Sequence, residues 1–464
     1  MTEPNYEEKL GLSEWAVETE GIGGILKTRY EDFRVEEESK IPALDSRGRF
    51  TVAKVTLTNW ETTRFLRKLS SACKINRNRI YSSGLKDKRA VTTQIIVIDA
   101  PMKVVERIVI PDSEIEIIGR THHKVSMGDH HGNRFTITVR GCCDKDGNPI
   151  DAKEAIKRVL KIKDELTERM GNESFPNWIG PQRFGSIRPV TPEVGRALIN
   201  GDVELAVNTY IGMPSKWEDE TTSIFRKKWI DTKNPSECLE LAPDRLGYEK
   251  AMLKHLANNE NDYLGAFKTM PNSLQLLMVH SIQSLVFNHS LRLRLNKNIS
   301  ITEPTIGDIV APVQQSGKID VGKMALVSET NLERCKRNCQ LGRLIVTGPL
   351  PGSKAKYAIG VPGECEIEAM KVTNLEKCNW IVSEIPRLTT SGTRRQLSVP
   401  FRDFNVAQAP EYSSEMSERW DKGPQDGDRW NPEGASLRFR FTLPPGTYAT
   451  IFLREFMHSP LNHY

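Results

Sequence analysis

The sequence has no apolar run approaching the ~18 residues of a membrane-spanning helix, and its mean hydropathy is −0.46. The opening MTEPNYEEKL is acidic and polar, where a signal peptide needs a basic start and an apolar stretch. These absences lead us to expect a soluble, intracellular, cytoplasmic protein. Cysteine is sparse: Cys73, Cys142, Cys143, Cys238, Cys335, Cys339, Cys365 and Cys378 are scattered without a CxxC. Cys335 and Cys339 have no nearby Cys or His pair to complete a zinc site, so free buried thiols are expected. No phosphate loop, no Ser/His/Asp pattern and no repeat stands out. The charge surplus is small, 65 Lys and Arg against 60 Asp and Glu, so only its distribution can point to a nucleic-acid partner.

What is present suffices for more than one core. With 464 residues, 38% of them hydrophobic, two or three domains are expected at roughly 100–200 residues each. Residues 20–140 read mostly as strands. Phe33 and Val35 alternate with Arg34 and Glu36, and the same period recurs at Phe50, Val52, Val55, Leu57 and at Phe135, Ile137, Val139. The run from Gln94 through Ile98 is apolar on both faces, as a central strand would be. Thr62 to Ala72 reads as a helix with Phe65, Leu66 and Leu69 on one side. From about 190 the texture turns helical: Thr191-Pro192 supplies an N-cap and a first-turn proline, Asp202 opens another helix, and 273–295 is a long helix. Short strands between Gly- and Pro-rich turns follow. Strand texture returns at Leu437, and Ala409 to Gly434 reads as a long polar surface loop. The fold class is α+β on a largely antiparallel sheet, with a separate domain at 190–385.

The densest charge feature carries Arg64, Arg67, Lys68, Lys74, Arg77, Arg79, Lys86, Lys88 and Arg89, with Asp87 as the one acid among them. An ordinary solvated face mixes signs more evenly, and a patch of this kind suits a phosphate backbone. Asp87 stands in a glycine-led turn before the strand at Thr92–Ile98, and the flanking cations favour its ionised form. A carboxylate in such a groove repels phosphate, so it asks for a reason. One reading makes Asp87 a nucleophile or general base; the other makes it a turn Asp capping its own backbone.

Here the chain resembles a known family. Gly84-Leu85-Lys86-Asp87-Lys88-Arg89-Ala90-Val91-Thr92-Thr93-Gln94 is similar to the GxKDxxAxTxQ signature of the tRNA pseudouridine synthase D (TruD) family. Lys27, six residues before Phe33 and followed by Val35 and Glu36, is similar to its KxxxxxFxVxE motif. Gly132-Asn133-Arg134-Phe135-Thr136-Ile137 resembles GNxFxI, and Phe175 to Gly185 resembles PNYFGxQRFG, with Trp178-Ile179 in place of Tyr-Phe. The resemblance implies a pseudouridine-synthase-type catalytic domain over 1–189 and 386–464, and a mixed α/β insertion at 190–385 that faces tRNA. It implies a cofactor-free, metal-free isomerase that turns uridine 13 of the D arm of tRNA into pseudouridine, with no obligatory protein partner. Asp87 matches the catalytic aspartate. Phe135 matches the aromatic that stacks on the flipped uracil, although an alternating strand would equally bury it as core. Lys27, Phe33, Lys86, Asn133, Gln182, Arg183 and Phe184 are carried over as substrate-binding or cleft-wall residues, with Lys27 as a partner for Asp87.

Other features weigh less. His122-His123 and His130-His131 read as a polar loop, because adjacent side chains point apart on a strand. Arg387, Arg394, Arg395 and Arg402 either extend an RNA surface or are solvated loop arginines. Two rival functions stay open: a non-catalytic RNA-binding protein on the same fold, and an RNA hydrolase using Asp87 with a metal.

Overall fold

The computed structural model describes residues 6–185, 188–314, 319–410, 423–424 and 427–464. Two compact units divide it, one of Trp15–Phe175 with Val399–Tyr464 and the other of Met1–Glu14 with Pro176–Val313 and Ile319–Ser398. Residues 176–189 and 386–398 thus fall with the second unit.

The first unit is built on a nine-stranded sheet. Its strands are β1 (Gly23–Ile25), β2 (Phe33–Ser39), β3 (Phe50–Thr58), β4 (Ile80–Ser82), β5 (Val91–Ile98), β6 (Ser113–Thr121), β7 (His130–Cys142), β8 (Arg402–Gln408) and β9 (Leu437–Leu443). The order is β8-β9-β7-β2-β5-β3-β6, with β1 on β7 and β4 on β5. Every pairing is antiparallel except β2 with β5. That parallel pair needs a crossover, which β3, the helix Thr62–Ala72 and β4 supply. β5 is central, as its two-sided apolar run predicts.

The helix Thr62–Ala72 seats Phe65, Leu66 and Leu69 on Val55, Leu57, Ile96 and Ile98. Burial of side chains of this size stabilises by roughly 1.5–3 kcal/mol each, which fixes the helix and leaves its basic side outward. At the other end of the sheet, Phe135 pairs across with Phe441 and Val35. Helix Ala449–Met457 lays Phe452 on Phe441, with ring centroids 4.5 Å apart.

The second unit is mainly helical, around the long helix Asn272–Asn296, with a four-stranded sheet of Ala325–Leu326, Ile309–Pro312, Leu344–Leu350 and Thr393–Gln396 in that order. Gly195 of helix Thr191–Ile199 meets the long helix so closely that a Cβ would lie on the Met278 carbonyl oxygen. Asp202 caps helix Val203–Gly212 by accepting from the Leu205 N–H, as expected. Thr191 does not cap: the helix begins at Thr191 itself, after Val190. The Thr191 hydroxyl is spent on the Arg183 carbonyl at 3.0 Å. The expected loop at Ala409–Gly434 lies largely outside the described residues. No helix among the described residues is long and apolar enough to cross a membrane.

Candidate active site

The loop from Ser83 to Arg89 crosses one face of the sheet and presents Asp87 with its side chain half exposed, at 51%. Lys27, just ahead of β2, points its ammonium at Asp87 Oδ1 from 3.3 Å. The Lys27 backbone is left-handed, φ 54°, an uncommon conformation for a residue with a side chain. Arg89 holds it there by donating to the carbonyls of Lys27 and Thr28 at 2.8 and 2.9 Å. The same ammonium lies 4.4 Å from the ring centroid of Phe33, and Phe33 is wholly buried beneath it. A cation held between a carboxylate and an aromatic face is confined on two sides.

Lys86 turns the other way. Its ammonium is buried, 2.7 Å from Glu37 Oε2 and 2.8 Å from Asn133 Oδ1, while its backbone N–H donates to the Thr62 hydroxyl at 3.0 Å. Glu37 also accepts from the hydroxyls of Ser39, at 2.6 Å, and Ser83. Burial opposes ionisation of Glu37, but Lys86 and the two hydroxyls win and hold its carboxyl below the ordinary range. Burial, helped by the charge of Lys86, pushes the pKa of nearby His130 down, so that ring stays neutral near pH 7. His130 and His131 open strand β7 and do not belong to a loop. The acid that the sequence singled out was Glu36, which is exposed. Counting from Phe33 puts the motif's final acid at 37, and β-alternation then turns it inward beside Phe33 and Val35.

Asn133, Phe135, Phe33, Lys27, Lys86 and Asp87 all belong to the sheet unit. Phe135 is 5% exposed, its ring stacked on Phe441 at 5.4 Å and edge-on to Phe33 at 6.3 Å. Gln182, Arg183 and Phe184 belong to the helical unit, on a short 3-10 turn at Pro181–Arg183. Gln182 is exposed there, Arg183 is half-buried and Phe184 is wholly buried core.

The basic stretch divides by partner. Arg64, Arg67 and Lys68 cover the outer side of helix Thr62–Ala72, and Lys74 and Lys88 are exposed as well. Arg79 is engaged by the buried Asp99 at 3.2 Å, Arg77 donates to the Ile80 carbonyl at 2.9 Å, and Arg89 is committed to the Lys27 turn. Among the later arginines, Arg394 is no surface cation. It is fully buried in a two-pronged pair with Glu366, the closer contact 2.6 Å. Arg402 pairs with Glu38 at 2.8 Å, Arg395 donates to Asn177 at 2.6 Å, and Arg387 donates to Gln275.

Such an arrangement holds a carboxylate beside one cation, with a fixed amide and buried aromatic rings on the same face of the sheet. The profile of the family described as tRNA pseudouridine synthase D (TruD) matches residues 9–456. A protein of Methanosarcina acetivorans named probable tRNA pseudouridine synthase D is 35% identical over 460 residues, 98% of each chain. One of Halobacterium salinarum with the same name is 32% identical over 471 residues, again 98% of each. A crystal structure assigned to tRNA pseudouridine synthase D (TruD) from Methanosarcina mazei superposes with a TM-score of 0.82 at 32% identity, covering 100% of both chains. These matches run over nearly the whole chain, and they show that the chain belongs to the tRNA pseudouridine synthase D family, a family of isomerases.

Proposed function

We propose that this chain converts uridine to pseudouridine in tRNA, at uridine 13 of the D arm, with Asp87 as the catalytic carboxylate. The observation that carries the reading is the setting of Asp87: a half-exposed carboxylate faced by Lys27 at 3.3 Å on a loop fastened to the sheet and to the start of a basic helix. The isomerisation breaks the bond between the anomeric carbon and N1, turns the uracil, and joins the same carbon to C5, whose proton leaves to solvent while N1 takes one up. Atoms and electrons balance without a redox partner, so the reaction proceeds without a cofactor. The target base leaves its stack to reach Asp87, and Phe135 receives its face, a contact of roughly 1–3 kcal/mol per base. Asn133 presents its amide to the base edge, because Lys86 occupies its oxygen. Arg64, Arg67, Lys68, Lys74 and Lys88 hold phosphates, and the helical unit, with Gln182 and Arg183, grips the rest of the tRNA. We place this reaction in the cytoplasm.

The test uses tRNA transcripts labelled with tritium at uracil C5. Wild type releases tritium without added metal or nucleotide, whereas Asp87→Asn releases none while binding the same transcripts. Equal release by Asp87→Asn sinks the assignment.

A further inference from the structure

We infer that Glu37 is a positioning residue for this reaction, acting through Lys86 and Ser83 to set where the Asp87 carboxylate stands; this rests on the reading of Asp87 as the catalytic group. The Glu37 side chain is fully buried on β2. Its oxygens are shared between two groups of the same loop, the Ser83 hydroxyl and the Lys86 ammonium. These two residues bracket Gly84-Leu85 and end immediately before Asp87. One carboxylate therefore fixes the loop at two points, and the Lys86 ammonium ties it further to Asn133 on β7.

Apolar packing does not fasten this segment. Leu85, its one large apolar side chain, is 62% exposed, so the approach to Asp87 is held by polar contacts. A buried ion pair in general stabilises a fold little compared with apolar residues of similar size. The place of this pair, on the loop that carries the reacting group, accounts for it better than stability does. Asn133 and Asp87 then share one reference point, and their separation follows from the length of the Lys86 side chain and its reach to Glu37.

The measurements are the single-turnover rate of pseudouridine formation at saturating tRNA, the tRNA Kd and the thermal unfolding midpoint. The variants are Glu37→Asp, Glu37→Gln, Lys86→Met and the double variant Glu37→Gln/Lys86→Met. A misplacement of about 1 Å can slow chemistry by roughly 100-fold, so a rate loss of that order is expected in Glu37→Gln and Lys86→Met. The tRNA Kd should stay within about twofold, and the double variant should be no slower than either single one. Glu37→Asp keeps the charge but draws it back by one methylene, and should slow the rate without lowering the unfolding midpoint. If Glu37→Gln does not fold, the neutral double variant and Glu37→Asp carry the decision. Wild-type turnover in either, losses that multiply in the double variant, or a loss seen only as weaker tRNA binding overturns the inference. Asp87→Asn in the same assay separates the two claims. If it turns over like wild type, the reading of Asp87 has failed; if it is dead while Glu37→Asp and the double variant are normal, only the role of Glu37 has.

Discussion

The outer side of helix Thr62–Ala72 sets a measurable salt dependence. Arg64, Arg67 and Lys68 lie there at i, i+3 and i+4, all exposed, opposite the buried Phe65, Leu66 and Leu69. Each phosphate that such a side chain neutralises adds roughly 0.7–0.9 to the slope of log Kd against log salt. Replacing the three with Ala therefore lowers that slope by about 2 to 3. Between about 50 and 200 mM salt, wild-type binding then weakens roughly 20- to 40-fold more than binding by the variant. Alanine is the strongest helix former and all three side chains are exposed, so the unfolding midpoint should hold. The assay is filter binding of one tRNA transcript at four or more salt concentrations. An unchanged slope in the triple variant refutes the reasoning. So does an equal drop from Arg79→Ala, because that guanidinium already faces Asp99 at 3.2 Å and should release few counterions.

Glu366→Ala strands the fully buried Arg394 and should remove about 3–5 kcal/mol from the helical unit, read by urea unfolding; a loss under about 1 kcal/mol contradicts the packing described. His458, stacked on Trp15 with ring centroids 4.3 Å apart, is held down to about 3 by burial, and burial holds His289 down to about 4. The unfolded chain takes up these protons below about pH 6.5 while the native state does not, so stability falls as pH drops from about 6.5 towards 4. His289→Gln should flatten that slope by up to about 1.4 kcal/mol per pH unit in unfolding series across this range, and an unaltered slope contradicts the assignment. Lys27→Met removes the cation 3.3 Å from Asp87 and should slow single turnover by about tenfold or more with tRNA Kd nearly unchanged; an effect on Kd alone would make Lys27 a phosphate contact.

Much of the sheet unit was legible because its elements declare themselves locally. The alternation around Phe33 and Val35 became β2, the apolar run around Ile96 became the central strand, and Phe65, Leu66 and Leu69 placed a helix with the observed ends Thr62 and Ala72. The loop of Asp87 was legible from its motif, and its pairing with Lys27 is 60 residues distant in sequence. What stayed hidden are the partners that only the fold brings close. Arg394 looks like any loop arginine until Glu366 meets it across 28 residues, and Arg79 looks like a phosphate contact until Asp99 takes it. Glu37 was within reach of the sequence: the inward parity of Phe33 and Val35 extends to it, while Glu36 beside it has the outward parity. His130 was taken for loop because the strand it opens begins in polar residues, which the alternation of Phe135 and Ile137 does not reach.

The central claim is met most directly by mapping. An unmodified pool of tRNA transcripts is incubated with wild type and with Asp87→Asn, and pseudouridine is located at single-nucleotide resolution. The account predicts pseudouridine at uridine 13 of the D arm with wild type alone. Pseudouridine at some other position with wild type would contradict the choice of target. Its formation by Asp87→Asn, or its absence with both proteins while both bind tRNA in a salt-sensitive way, would contradict the catalytic account itself.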